Sequence, residues 1–269
     1  MRTVDVKRFP FQDSSCANDG ISTPDDARVW SNAEARFYAE ALATSDYADT
    51  VGSALKALLG DIPSLLDVGA GSGVLGRMLA GRDGRWTAVE PNRFMAHTLA
   101  AGRRPPNRIV RDVWRNLDRH EDMVHDTVLA ANVGGPLDCA TEFVRALRPL
   151  AARQLCWTVS AQQGPRRYCL SGFLPPELHG EDETPAFEIA LEKLGNKLAP
   201  DHIAFVDWTF RAVFPSPGEA EEHFAARFPA DDPAYRGTLA DWITHRLKLT
   251  STGWVAQAKK STAILLWRN

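Results

Sequence analysis

The greatest density of chemically useful residues in this chain lies at 65–73, Leu-Leu-Asp-Val-Gly-Ala-Gly-Ser-Gly. A short apolar run stops in Gly69, Gly71 and Gly73, and a helical pattern of Val74, Leu75, Met78 and Leu79 follows at once. A glycine-rich turn between a strand and a helix lets a ligand come close to the backbone and points free N–H groups at it. Open α/β sheets bind their ligands at this carboxyl edge. The plain alternative is a tight turn with no ligand, but such glycine density directly after a buried strand argues against it. Glu90 closes a second apolar run at 86–90, at the same carboxyl edge of the expected sheet. Asp112 follows a third run at 108–110. Arginines crowd this stretch (Arg103, Arg104, Arg108, Arg111, Arg115), so a surface ion pair competes with a ligand role for Asp112.

Two cofactor chemistries compete for the loop. The dinucleotide pattern GxGxxG can be laid on residues 71–76, but its first glycine then falls too far past the strand. Laid from Gly69, it needs a small residue at position 74, which is Val74. Taken whole, Asp67-x-Gly69-x-Gly71-x-Gly73 resembles the first motif of the class I S-adenosylmethionine-dependent methyltransferases. That resemblance implies S-adenosylmethionine as cofactor and S-adenosylhomocysteine as product. It places Asp67, Gly69, Ala70, Gly71 and Gly73 in the cofactor loop. Glu90 falls at the ribose hydroxyls because a carboxylate can accept two hydrogen bonds at once, Pro91 follows it in the cofactor site, and Met95 packs on the adenine. Asp112 and Val113 meet the adenine edge, and Asn132 stands where the family lines its active site. The rival readings are an NAD-dependent oxidoreductase, which also keeps an acid after its second strand, and a non-catalytic S-adenosylmethionine-binding regulator.

Methyl transfer from a sulfonium is an in-line displacement, so the protein chiefly positions the acceptor and excludes water. A hydroxyl or ammonium acceptor also calls for a general base. No base is assigned from the sequence: Tyr168, Glu177 and His179 in the irregular segment are candidates, and His125 precedes the fourth strand and is expected to face away. Asn132 is a further candidate catalytic residue, by its place after the fourth strand. Base- and glutamine-modifying relatives carry Asn/Asp-Pro-Pro-Tyr/Phe at this point, whereas this chain has Asn132-Val133-Gly134-Gly135. The missing prolines and aromatic disfavour nucleic acid and favour a small-molecule acceptor. Phe173, Phe187, Phe205, Trp208, Phe210 and Phe214 can contribute to a substrate pocket, at least half of them as ordinary core. Trp30, Phe37 and Tyr38 on a leading helix can form the opposite wall, by analogy of fold.

The elements that must position these residues follow from periodicity. Strands are expected at 64–68, 86–90, 108–110, 126–131, 155–159, 202–214 and 261–267. Helices are expected over the spaced residues Trp30 to Ala41, then at 47–59, from Val74, at 91–101, 138–147, 186–194, 217–228 and 235–247. Strands alternating with helices imply a doubly wound α/β fold, here a mostly parallel seven-stranded sheet with an antiparallel last strand. The chain reads as a single domain: 1–60 an N-terminal arm and helical cap, 61–160 the cofactor-binding core, 161–200 an inserted substrate lid, and 201–269 closing strands and helices. A bare core of this class takes about two-thirds of such a length, leaving the remainder for substrate recognition.

Composition narrows the class. A chain of 269 residues with 44% hydrophobic and 24% charged residues buries a full core, which excludes a disordered or collagen-like protein. The net charge of −3 gives no bulk basic footprint for nucleic acid, and the arginine run reads as a solvated face. Cys16, Cys139, Cys156 and Cys169 are widely spaced and form no CxxC pair, so reduced thiols in a cytoplasmic protein are expected. His179-Gly180-Glu181-Asp182-Glu183 has metal-ligating residue types without a metal spacing, and no metal is expected. No membrane-spanning run or secretory leader is read in the sequence.

Overall fold

The apolar run Ser64–Val68 (β2) is a central strand: neighbouring strands pair with both its edges, and packed layers on both sides of the sheet bury its faces. It pairs in parallel with Arg85–Val89 (β3) and with His125–Ala131 (β5). Arg108–Val110 (β4) extends the sheet beyond β3, and Ala151–Ser160 (β6) extends it beyond β5, all in parallel. Gly253–Arg268 (β9) then enters antiparallel to β6, and His202–Phe214 (β7) lies antiparallel to β9. The computed structural model describes residues 1–4, 30–133, 137–163, 173–175, 178, 184–226 and 233–269.

The α/β class, the parallel centre and the antiparallel last strand agree with the sequence. The strand count does not: among the described residues the sheet has nine strands, with Arg2–Val4 as β1 and Lys248–Thr250 as β8, in the order β1-β7-β9-β6-β5-β2-β3-β4, with β8 on β9. The additions are Arg2–Val4 (β1), antiparallel on Ile203 to Phe205, and Lys248–Thr250 (β8), which forms a hairpin with β9. Arg2–Val4, within the expected N-terminal arm, is a sheet edge that pairs with a strand about two hundred residues away, which no local signal reveals.

Alternation along each strand splits the core into two layers. Leu65, Leu129 and Cys156 face one side, where they meet the helices Asn32–Thr44 (α1), Ser53–Leu59 (α2) and Val74–Leu79 (α3). Leu66, Val68, Val128 and Trp157 face the other, against Ala140–Leu147 (α5) and Ala186–Leu194 (α6). Cys156 serves as a small apolar residue, its thiol pushed up to about 12 by burial. Arg93–Ala101 (α4) lies between β3 and β4, while Pro217–Ala225 (α7) and Pro233–Arg246 (α8) connect β7 to β8.

The helix expected at 47–59 is instead a π-helical turn, Ala48–Gly52, continuing into α2. Gly52 sits there against Met78, where an added Cβ would lie 2.4 Å from Sδ. The part of β7 beyond β1 is capped by side chains from the end of α1. Thr209 N–H donates to Asp46 Oδ1 (2.6 Å), Arg211 N–H donates to Ser45 Oγ (2.8 Å), and Thr44 Oγ1 donates to the Arg211 carbonyl (3.0 Å). These bonds replace a missing neighbour strand and blunt the edge. The arginine run is largely exposed, as expected, and two of its members also brace loops: Arg104 donates to the Ala80 and Gly81 carbonyls, and Arg108 to that of Glu121. Among the described residues no helix is long and apolar enough to cross a membrane.

Candidate functional site

The chain leaves β2 on one side of the sheet toward β3 and β4, and places β5 and β6 on the other. The carboxyl ends of β2 and β5 therefore form the topological switch point, where open α/β sheets hold ligands. The glycine loop occupies this point. Gly69, Gly71 and Gly73 take φ values of 69°, 57° and 79°, a left-handed region that favours glycine. The Gly69 and Ala70 N–H groups donate to the Val89 carbonyl (2.8 and 3.1 Å), which bends the loop across the end of β3.

Glu90 follows β3 and is nearly buried. Its Oε2 accepts from Gly71 N–H (2.7 Å) and its Oε1 from Asn92 N–H (2.8 Å). Burial raises its pKa, and the two amide bonds partly offset that rise. Asn92 caps α4, its Oδ1 accepting from Met95 N–H (3.0 Å), and its Nδ2 donates to the Trp30 carbonyl (2.6 Å). One side chain thus fixes the start of α4 and ties the N-terminal cap to the site.

Asp112 follows β4. Its Oδ1 accepts from Val113 N–H (2.8 Å) and Asn116 Nδ2 (2.7 Å), and its Oδ2 lies 2.9 Å from His120 Nε2. The Asn116 bond, then that of His120, holds the carboxyl down at about 2, so it is ionised under ordinary conditions. Its partners are these groups rather than the neighbouring arginines.

These ends enclose a cavity of about 790 Å³, part of it open to solvent. Of the residues expected at a cofactor, Gly69, Gly71, Glu90, Pro91, Met95, Asp112, Val113 and Asn132 line it together. Asp67, Ala70 and Gly73 do not reach its wall. Asp67 lies beneath the loop, where an added Gly76 Cβ would fall 2.2 Å from its Oδ2 and 2.4 Å from Trp86. Burial, and then the Glu90 charge, raises the Asp67 pKa to about 7, with the Trp86 indole pulling the other way. Ala70 packs on the core, and a Cβ at Gly73 would strike Leu99 at 2.2 Å. Gly73 and Gly76 allow the close seating of α3 that holds the loop in place. A Cβ at Gly71 would meet nothing within 4 Å, so the backbone there is open to an approaching ligand.

Trp30 and Tyr38 form the opposite wall, edge to face with centroids 4.7 Å apart. Phe37 packs instead on Phe214, and Phe173, Phe187, Trp208, Phe210 and Phe214 are core. His125 stands at the far end of β5, its Nδ1 against the Met123 carbonyl and its Nε2 against Thr87 Oγ1, and burial lowers its pKa. Tyr168, Glu177 and His179, with the acidic run at 181–183, lie outside the described residues. Among the described residues no group of three His, Cys, Asp or Glu side chains could hold a metal ion.

Sequence reasoning missed Asn92, Trp114 and Val133 on the wall, and Asn116 and His120 behind Asp112. Only Asn92 carries a usable signal, as an N-cap residue just before the apolar pattern of α4.

Fold and site together define a doubly wound α/β protein with a cavity at its switch point. No protein-family model matches the chain, and no curated protein matches it by sequence. Solved structures similar to it include a cyclopropane-fatty-acyl-phospholipid synthase-like protein from Lactobacillus casei ATCC 334. That one has 14% identity and a TM-score of 0.46, over 81% of this chain and 90% of the other. The plantazolicin methyltransferase BamL, solved with a triazolic analog and SAH, has 13% identity and a TM-score of 0.45, over 87% and 90%. Magnesium protoporphyrin IX methyltransferase from Synechocystis PCC 6803, solved with SAH, has 13% identity and a TM-score of 0.34, over 81% of each chain.

Proposed function

We propose that this chain is an S-adenosylmethionine-dependent methyltransferase acting on a small-molecule acceptor. The observation that carries this reading is the convergence of Gly71, Glu90, Asp112 and Val113, from three successive strand ends, on one cavity wall.

The residues present fit the cofactor. Each Glu90 oxygen accepts one backbone bond and keeps a lone pair, so the carboxylate can still take both hydroxyls of a ribose. Asp112 Oδ2 remains able to accept from an exocyclic amine, with the Val113 backbone beside it. Met95 and Val89 supply apolar contact for a base. The open face of Gly71 admits the backbone-hugging part of the ligand. When bound, the cofactor supplies a methyl group already activated by its sulfonium charge.

The chain's own work is orientation and exclusion of water. Glu90, tied to the loop through Gly71 and to α4 through Asn92, is a preorganised acceptor that needs no rearrangement. Trp30 and Tyr38 close the acceptor side with aromatic surface. Isothermal titration with S-adenosylhomocysteine and with NAD, together with mass spectrometry of co-purifying ligands, tests this reading. Binding of the former with no response to NAD supports it; the reverse identifies an oxidoreductase.

A further inference from the structure

We propose that Tyr47 is a positioning residue for the acceptor side of the cavity: its buried phenol orients the Asn132 side-chain amide so that the amide carbonyl is offered to an acceptor bearing an O–H or N–H group. This rests on the methyl-transfer reading and names the acceptor class, an alcohol, phenol or amine.

Asn132 is the residue immediately after β5 and stands on the cavity wall. Its φ of 52° is left-handed, which asparagine tolerates better than most residues, and its N–H is tied to the Thr158 carbonyl on β6 (3.2 Å). The backbone is therefore pinned while the side chain is directed by other groups. Those groups are phenols of the N-terminal cap: Asn132 Nδ2 donates to Tyr47 Oη at 3.0 Å and to Tyr38 Oη at 3.4 Å. An asparagine amide has two N–H donors and one carbonyl. With both donors turned to the phenols, Oδ1 takes no hydrogen bond among the described residues.

Tyr47 suits this task. It is 2% exposed, and its ring meets Trp208 edge to face at 4.7 Å, so its hydroxyl has a fixed address. Burial raises its pKa well above the ordinary phenol value, so it is no proton acceptor at working pH and acts as a neutral hydrogen-bond partner. Without the Tyr47 oxygen the amide can turn by 180° and present its NH2 group to the cavity instead. Val133, next in the chain, touches the site of the Gly69 Cβ (2.9 Å), so this end of β5 abuts the glycine loop. A ligand with its base at Asp112 and its ribose at Glu90 has its remaining end on this side.

The test uses two probes, S-adenosylhomocysteine and sinefungin, which carries a protonated amine in place of the methyl group to be transferred. Titration calorimetry on the full chain should show sinefungin bound about 10–100-fold more tightly than S-adenosylhomocysteine, the range of one charge-assisted hydrogen bond. Tyr47→Phe keeps the ring against Trp208 and should lower that ratio at least fivefold. A residue needed only for folding would weaken both ligands alike and leave the ratio unchanged. An unchanged ratio in Tyr47→Phe, with S-adenosylhomocysteine still bound, overturns the proposal and leaves the methyl-transfer reading standing. Failure of wild type to bind S-adenosylhomocysteine overturns both. Should Tyr47→Phe not fold, Asn132→Leu decides: the ratio must fall to about one, and a retained preference overturns the proposal.

Discussion

The Gly71 N–H donates to Glu90 Oε2 at 2.7 Å, joining the loop after β2 to the carboxylate after β3. The two parts of the site best marked in the sequence are one hydrogen-bonded unit, closed a second time by Asn92 N–H on Oε1. Glu90→Ala removes the shared acceptor. Affinity for S-adenosylhomocysteine should drop about 10–100-fold by calorimetry, as hydrogen bonds to a charged group contribute about 1.5–3 kcal/mol. Wild-type affinity in the variant would remove Glu90 from the ribose role.

Gly76 gives a test of opposite sign to helix propensity. Within α3, Gly→Ala should stabilise by about 1 kcal/mol on propensity alone. Here the new methyl would lie 2.2 Å from Asp67 Oδ2 and 2.4 Å from Trp86 Cζ2. Overpacking of this kind costs about 1–3 kcal/mol. Gly76→Ala should therefore lower the denaturation midpoint, and a raised midpoint would contradict the packing described.

Asp67 makes stability depend on pH in the direction opposite to a salt-bridged carboxylate. Its pKa rises from the ordinary 3.8 to about 7, so the fold binds its proton more tightly than the unfolded chain does. The stability linked to that proton is complete below about pH 3.8 and lost as pH rises through about 7. Glu90, also raised by burial, acts with the same sign. Asp67→Asn cannot ionise, so its melting temperature relative to wild type should climb steadily from pH 4 to pH 7.5. A constant difference across that range would contradict the assignment.

Asn92 links the cap to the cofactor wall. Asn92→Ala removes the bonds to Met95 N–H and to the Trp30 carbonyl. Loss of the N-cap alone should cost about 1 kcal/mol in urea denaturation. Hydrogen exchange at Met95 should accelerate in the same variant, and unchanged protection there would contradict the capping role.

Legibility in the sequence followed burial. β7 was readable at its observed limits because apolar residues alternate along it, and the glycine loop because its composition is rare outside a backbone-exposing turn. β9 starts at Gly253, well before the expected 261. Its first half, Trp254-Val255-Ala256-Gln257-Ala258-Lys259-Lys260, hides its alternation behind alanines and behind Lys260, which is buried with Nζ 5.9 Å from the Phe210 ring. Such a lysine reads as solvent-facing although its stem lies in the core. The Tyr47–Asn132 pair was invisible for a different reason. Tyr47 gives only a helix signal, and its chemistry arises from contact with a strand end 85 residues away.

The central claim is that this cavity is built for S-adenosylmethionine, and parallel calorimetric titration of the purified chain with S-adenosylhomocysteine and with NAD tests it most directly. Saturable binding of S-adenosylhomocysteine that weakens in Glu90→Ala, with no heat from NAD, is the expected result. Saturable binding of NAD with none of S-adenosylhomocysteine would contradict it.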